Sequence, residues 1–180
     1  GGSCFPKDTL ALVNTARDAG SPLKIIETVV DINNKRKLSM ADRVVAACDG
    51  SIKGKTVAIL GVTFKPNTDD MRDSPSLYIL PALQKAGASI RAYDPEGMDE
   101  ACEILENVEW CGDSYEAMQG ADVLVIITEW NAFRGLDFER VKSLLSKPVL
   151  VDLRNIYNPD DMAAAGIDYH CLGRPPGNAN

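Results

Sequence analysis

At 180 residues, 45% hydrophobic and 25% charged, the chain is long enough for one real core plus an appendage, which excludes the disordered and fibrous classes. Its net charge of −7, from 26 acidic against 19 basic residues without a basic stripe, argues against nucleic-acid and anionic-membrane partners. It holds no apolar run of about 18 residues and no basic-then-apolar leader, so a cytoplasmic location is expected. Five cysteines with no CxxC pair argue against a zinc site or a disulfide framework, and reduced thiols are expected.

The chain opens on GGSCFPKDT, which places Cys4 in a glycine-rich entry with Lys7 and Asp8 three and four residues on. Pro6 suits a first helical position, so Cys4 is expected near a helix amino terminus, where the dipole and Lys7 both favour thiolate over thiol. A thiol, a cation and a carboxylate within one turn can make a nucleophile. Taken alone, Cys4 reads more readily as a buried, inert cysteine; its neighbours favour the reactive reading. A helix follows over 7–19, stopped by Gly20-Ser21-Pro22, and then a long helix over 23–48. In the latter Leu23, Ile26 and Val30 lie on one side, with Ile25, Val29 and Ile32 close by. At 1.5 Å per residue it runs roughly 38 Å, more than a small domain is wide. It is expected to bridge two domains or pair with another subunit, against the alternative of a helix packed on its own domain.

From Ile52 onward strand and helix alternate. Strands are predicted at 56–60, 89–93, 108–110, 123–128, 149–153 and 168–171, with helices at 76–86, 98–105, 114–118, 138–145 and 159–165. The fold class is therefore α/β: a doubly wound, mostly parallel sheet with helices on both faces, preceded by the long helical segment. This divides the chain into residues 1–50 and 51–180. The runs VAIL, VLVII and VLVDL fit strands covered on both faces. The polar connection over 63–74 is longer than the roughly 2–6 residues usual between strand and helix, which marks a ligand site. It carries Phe64, Lys65, Asn67, Thr68, Asp69, Asp70, Arg72 and Asp73, groups suited to an anionic, hydroxyl-rich ligand. Ligands of such sheets bind beyond the carboxyl ends of the strands. The 64–74 loop, Thr128–Trp130 and Arg154 all fall at such ends, so they can converge on one rim.

GGSCFPKDT together with LGVTFKPNTDDMRDSPS, TEW at 128–130, DLRNIYNP at 152–159 and CLGRP near the end resembles the UDP-glucose/GDP-mannose dehydrogenase family, colinearly over essentially the whole chain. Within the family the GDP-mannose enzymes tend to differ in the FKP loop, and the N-acetyl-mannosamine type departs around the cysteine, so the comparison favours UDP-glucose. Family members begin with a nucleotide-binding domain opening on GxGxxG, and this chain has none. The resemblance thus implies a carboxyl-terminal portion that starts at the cysteine motif and lacks the pocket for most of NAD, with Gly1-Gly2-Ser3 native to the pattern.

The activity implied is NAD-dependent, two-step oxidation of UDP-glucose to UDP-glucuronate, in which Cys4 holds the intermediate aldehyde as a thiohemiacetal and then as a thioester. Asp8 orients the hydrolytic water. The resemblance assigns Lys7 and Arg72 to NAD, and Gly1, Phe64, Lys65 and Arg154 to the UDP-sugar. It also implies a homodimer built on the long helix. The alternatives are GDP-mannose or another nucleotide-sugar dehydrogenase, or a non-catalytic nucleotide-sugar-binding module.

Other residues carry duller readings. His170, the only histidine, reads as a packed or surface residue, and Asp69 and Asp70 as loop-shaping carboxylates rather than metal ligands. Asp94-Pro95 reads as a turn, because no glycine fingerprint precedes it. Trp130 and Phe133 read as anchors on the sheet, Trp130 with the option of lining the rim.

Overall fold

A computed structural model describes residues 4–175, with Cys4 described by its backbone alone. Two helices come first, α1 (Cys4–Asp18) and α2 (Lys24–Ala47). They turn back on each other through Gly20, whose left-handed φ of 68° suits a residue without Cβ at a helix end, and an Arg17–Glu27 ion pair of 2.8 Å braces the hairpin. The second helix runs for 24 residues, slightly inside the 23–48 span expected of it. Only its carboxyl half is fixed in the core, through Met40, Ala41 and Val44.

The remainder alternates as β1 (Thr56–Leu60), α3 (Ser76–Lys85), β2 (Ser89–Tyr93), α4 (Met98–Cys102), β3 (Val108–Trp110), α5 (Ser114–Met118), β4 (Val123–Ile126), a 3₁₀ turn (Asn131–Gly135), α6 (Phe138–Leu144), β5 (Val149–Asp152), α7 (Pro159–Ala164) and β6 (Asp168–Cys171). The six strands form one sheet in the order β3-β2-β1-β4-β5-β6, and every pairing is parallel. Because side chains alternate along a strand, each strand feeds both faces. Val57 and Ile59 of β1, Val123 and Val125 of β4 and Val149 and Val151 of β5 join Met40, Val44, Ile79 and Leu83 on one face. Ala58, Leu60, Leu124, Ile126 and Leu150 pack with Met118, Phe133, Val141 and Met162 on the other.

The strand predictions hold in type and place, with β4 and β5 ending earlier than expected; α4 stops at Cys102 and the 3₁₀ turn was not foreseen. Beyond β4, Trp130 N–H donates to the Thr128 carbonyl at 3.0 Å, so the chain turns away from the sheet. Among the described residues, no helix is long and apolar enough to cross a membrane. The described cysteines are all free, and burial pushes the thiols of Cys48, Cys111 and Cys171 above their ordinary pKa. Such thiols are unreactive at neutral pH.

Candidate functional site

Two buried carboxylates shape the carboxyl rim of the sheet. Asp94, just beyond β2, is fully buried. One of its oxygens accepts from the backbone N–H groups of Val62 (2.7 Å) and Thr63 (3.2 Å), from the Thr63 hydroxyl (3.2 Å) and from Trp130 Nε1 (3.1 Å). The other accepts from the N–H groups of Glu96 and Gly97, at 3.1 and 2.9 Å. The turn expected at Asp94-Pro95 is therefore present, and it also ties β2 to the exits of β1 and β4. Asp152, the last residue of β5, is likewise fully buried. It accepts from the N–H groups of Arg154 (2.8 Å), Ile156 (2.7 Å) and Tyr157 (3.3 Å) and from the Tyr169 hydroxyl (2.8 Å). Burial, followed by the Asp152 hydrogen bond and charge, pushes the Tyr169 phenol well above its ordinary pKa, so the phenol stays a donor.

The connection over residues 61–75 is closed upon itself. Hydroxyls of Ser74 and Ser76 both donate to the Val62 carbonyl at 2.6 Å, and Phe64 N–H donates to the Asp70 carbonyl at 2.9 Å. Gly61 starts it with φ of 82°; a Cβ there would lie 2.5 Å from Thr128 Cβ and 2.8 Å from Thr128 N. Glycine thus lets β1 and β4 close together where the strand order reverses. The Thr128 hydroxyl donates to the Thr63 carbonyl at 2.6 Å, completing the seam.

Beside that seam, on the side covered by α2 and α3, opens a cavity of about 180 Å³. Phe64 from the first strand exit, Ile127 from the exit of β4, and Leu153 and Arg154 from the exit of β5 all reach it. So do Asn33, Arg36, Lys37 and Met40 of α2. Lys37 is drawn inward, its side chain 11% exposed, with Nζ 3.6 Å from Asp73 and 4.5 Å from the centroid of the Tyr78 ring. Three cations, Arg36, Lys37 and Arg154, and one carboxylate, Asp73, therefore line one apolar-floored cavity. That arrangement suits an anion carrying a flat ring.

The structure brings together some of the expected site residues and separates others. Phe64 and Arg154 share the cavity. Lys65 belongs to the same loop and its carbonyl accepts from the Thr63 hydroxyl at 3.2 Å, but its side chain is exposed and outside the cavity lining. Arg72 lies on the opposite flank of the loop, beside Leu77, Glu100 and Ile104. It grips Asp70 with two side-chain bonds of 2.9 and 2.8 Å and a backbone bond of 2.9 Å, which lower the Asp70 carboxyl to about 2. Lys7 lines a second cavity of about 310 Å³ with Phe5, Pro6, Thr9 and Tyr78. Asn33 and Asp73 line both cavities, so the α1 segment and the Phe64–Arg154 rim adjoin across them. Asp8 is exposed, 4.0 Å from Lys7. Gly1 and the side chain of Cys4 lie outside the described residues.

The α2 contribution and Glu129 were not anticipated from the sequence. Positions 33, 36, 37 and 40 follow the spacing of one helix face, a signal present in the sequence, although which strand ends that face overlies is set by packing. Glu129 stood inside the TEW run unremarked; its carboxylate accepts one hydrogen bond from Arg154 Nη2, at 2.5 Å, and its other oxygen, which has no hydrogen-bond partner among the described residues, is in ionic contact with Nε. Burial works against the Glu129 charge, yet Arg154 outweighs it and holds the carboxyl below the ordinary glutamate value. Trp130 is an anchor as expected, and Phe133 is fully buried. His170 is at the surface, 3.1 Å from Asp168.

An all-parallel sheet whose strand order reverses between β1 and β4, with a cationic cavity at that end, defines a doubly wound α/β domain of the nucleotide-binding class. Residues 58–159 match the model of the UDP binding domain of the UDP-glucose/GDP-mannose dehydrogenase family, and residues 1–35 match that of its central domain. The chain belongs to that family. A UDP-glucose 6-dehydrogenase of Rhizobium meliloti is 56% identical over 175 residues, covering 97% of this chain and 40% of that protein. UDP-glucose 6-dehydrogenase TuaD of Bacillus subtilis is 46% identical over 176 residues, with 97% and 38% covered. Among solved structures, an NDP-N-acetyl-D-galactosaminuronic acid dehydrogenase from Methanosarcina mazei Go1 matches with a TM-score of 0.84 at 28% identity, over 97% of this chain and 38% of that one. A UDP-glucose dehydrogenase from Pyrobaculum islandicum matches with a TM-score of 0.72 at 33% identity, over 84% and 34%. The chain spans about two-fifths of the length of the two sequence relatives.

Proposed function

We propose that this chain supplies the UDP-sugar cavity and the nucleophile of an NAD-dependent dehydrogenase that oxidises UDP-glucose to UDP-glucuronate. The observation that carries this reading is the convergence of Phe64 and Arg154 with the α2 cations on one cavity, at the switch point of a domain matched as UDP-binding. The nucleotide ring lies against Phe64 and Arg154 meets its acceptor oxygens, while Lys65, outside the lining, meets only a part of the ligand that extends beyond the cavity. The adjoining cavity at the start of α1 directs the sugar toward Cys4.

Cys4 then adds as thiolate to the aldehyde formed in the first oxidation. The thiohemiacetal loses a hydride to become a thioester, and water oriented by Asp8 cleaves it, releasing the carboxylate and returning the thiol. NAD would accept one hydride in each of the two oxidations, so two NAD molecules would be used in succession per turnover. The contribution of this chain to its site is small. Only one glycine begins the 61–75 connection, and that glycine is closed against Thr128, so no dinucleotide cradle is built at the first strand exit. Lys7 and Arg72 are the residues that would touch NAD. The partner is a second copy of the chain, paired through α2. The 28% identity to a dehydrogenase of a different nucleotide sugar keeps a related sugar as the second reading.

The test uses the full-length enzyme. Cys4→Ala is expected to abolish turnover of UDP-glucose while leaving UDP-glucose binding intact. Ordinary turnover by that variant would remove Cys4 from the mechanism.

A further inference from the structure

We infer that Glu129 is a positioning residue: it holds the Arg154 fork at the cavity before the nucleotide arrives, so that the ligand meets an arginine already ordered. This rests on the reading of the cavity as the UDP site. A guanidinium offers five N–H donors in a fixed plane. Glu129 takes the Nη2 edge of that plane, through one hydrogen bond to Nη2 and an ionic contact with Nε. The Nη1 side is left for an acceptor oxygen of the nucleotide. An unrestrained arginine surrenders much of its rotamer freedom on binding, and fixing it beforehand removes that cost from the ligand.

Both partners of this pair are themselves fastened to the frame. Glu129 is flanked by Thr128, whose hydroxyl donates to the Thr63 carbonyl at 2.6 Å, and by Trp130, whose Nε1 donates to Asp94 at 3.1 Å. Arg154 has its own N–H on Asp152 at 2.8 Å. The pair therefore spans the exits of β4 and β5 between two buried carboxylates, Asp94 and Asp152. A surface ion pair without such anchors would contribute little. Here the side chains are only 35% and 28% exposed and their backbones are fixed, so the geometry is imposed rather than sampled. Glu129 does not line the cavity, so it acts through Arg154.

A double-mutant cycle on this chain, read by calorimetric titration with UDP, tests the assignment. Arg154→Ala is expected to weaken UDP binding at least about tenfold, the scale of a lost charged hydrogen bond. The near-isosteric Glu129→Gln is expected to weaken it about 3- to 10-fold, and to have no effect once Arg154 is alanine. A merely structural role for Glu129 would persist in the Arg154→Ala background. Unchanged or tighter UDP binding by Glu129→Gln, with Arg154→Ala still weakened, overturns the positioning role while leaving the cavity assignment intact. Failure of the unaltered chain to bind UDP, or indifference to Arg154→Ala, overturns the cavity assignment and the inference with it. A second measurement needs no substitution: the Arg154 Nε–H resonance of the unaltered chain is expected to be ordered before UDP is added. An Nε–H that becomes ordered only with UDP contradicts prior positioning.

Discussion

Asp94 carries more of the rim than any charged side chain that faces solvent. Six hydrogen bonds converge on it from three segments, and buried donors left without an acceptor cost about 1–3 kcal/mol each. Asp94→Ala is therefore expected to destabilise the chain by about 3 kcal/mol or more, since several donors lose their acceptor together. Urea denaturation measures this, and a loss under about 1 kcal/mol would mean that water replaces the carboxylate freely. Gly61→Ala meets both a strained backbone, about 1–3 kcal/mol, and a Cβ 2.5 Å from that of Thr128; it is expected to open the seam between β1 and β4. Asp70 tests the electrostatics. Its carboxyl lies at about 2, below the ordinary value of 3.8, because Arg72 bonds to its charged form. A lowered folded-state pKa means that this contribution is present above the ordinary carboxylate range and is lost as the pH falls toward 2. Arg72→Ala is expected to raise the Asp70 midpoint toward 3.8 in a carboxyl-carbon NMR titration; an unmoved midpoint would contradict the role given to Arg72.

At the scale of elements, α2 divides into two halves. Its carboxyl half packs Met40, Ala41 and Val44 into the core, whereas Ile25, Ile32 and Leu38 remain 79%, 57% and 52% exposed. Ile25 and Ile32, seven residues apart, fall on the same side of the helix, and they are the basis for the proposed pairing of two copies through α2. The chain is expected to self-associate, and Ile32→Glu to shift it toward monomer in sedimentation velocity; a monomer at high concentration without the substitution would remove the dimer reading. The strands were legible because parallel strands covered on both faces read as short apolar runs such as VAIL and VLVD. The 3₁₀ turn over 131–135 was not, because Trp130 and Phe133 enter the structure through tertiary burial that no periodicity announces. The convergence of Phe64 and Arg154 on one rim was legible because it follows from strand polarity. The site was hidden where it depends on which helix lies over which strand end, as with Asn33, Arg36 and Lys37. The Glu129 pairing was hidden for the same reason, since 25 residues separate it from Arg154.

The whole molecule is acidic, at −7, yet its switch-point cavity gathers Arg36, Lys37 and Arg154. Two of these cations already face a carboxylate, Lys37 facing Asp73 and Arg154 facing Glu129, so the cavity offers an anion directed donors rather than a large net charge. The chain has no GxGxxG, and the proposed function gives it the UDP cavity and only Lys7 and Arg72 toward NAD. Lys65→Ala is expected to weaken UDP binding by roughly 1.5–3 kcal/mol if Lys65 makes one charged hydrogen bond to the ligand. The most direct test is calorimetric titration of this chain with UDP and, separately, with NAD. Measurable UDP binding that falls when Lys65 or Arg154 is replaced by alanine is expected, with little or no heat from NAD. Tight NAD binding, or UDP binding indifferent to both substitutions, would contradict the assignment of the cavity to UDP.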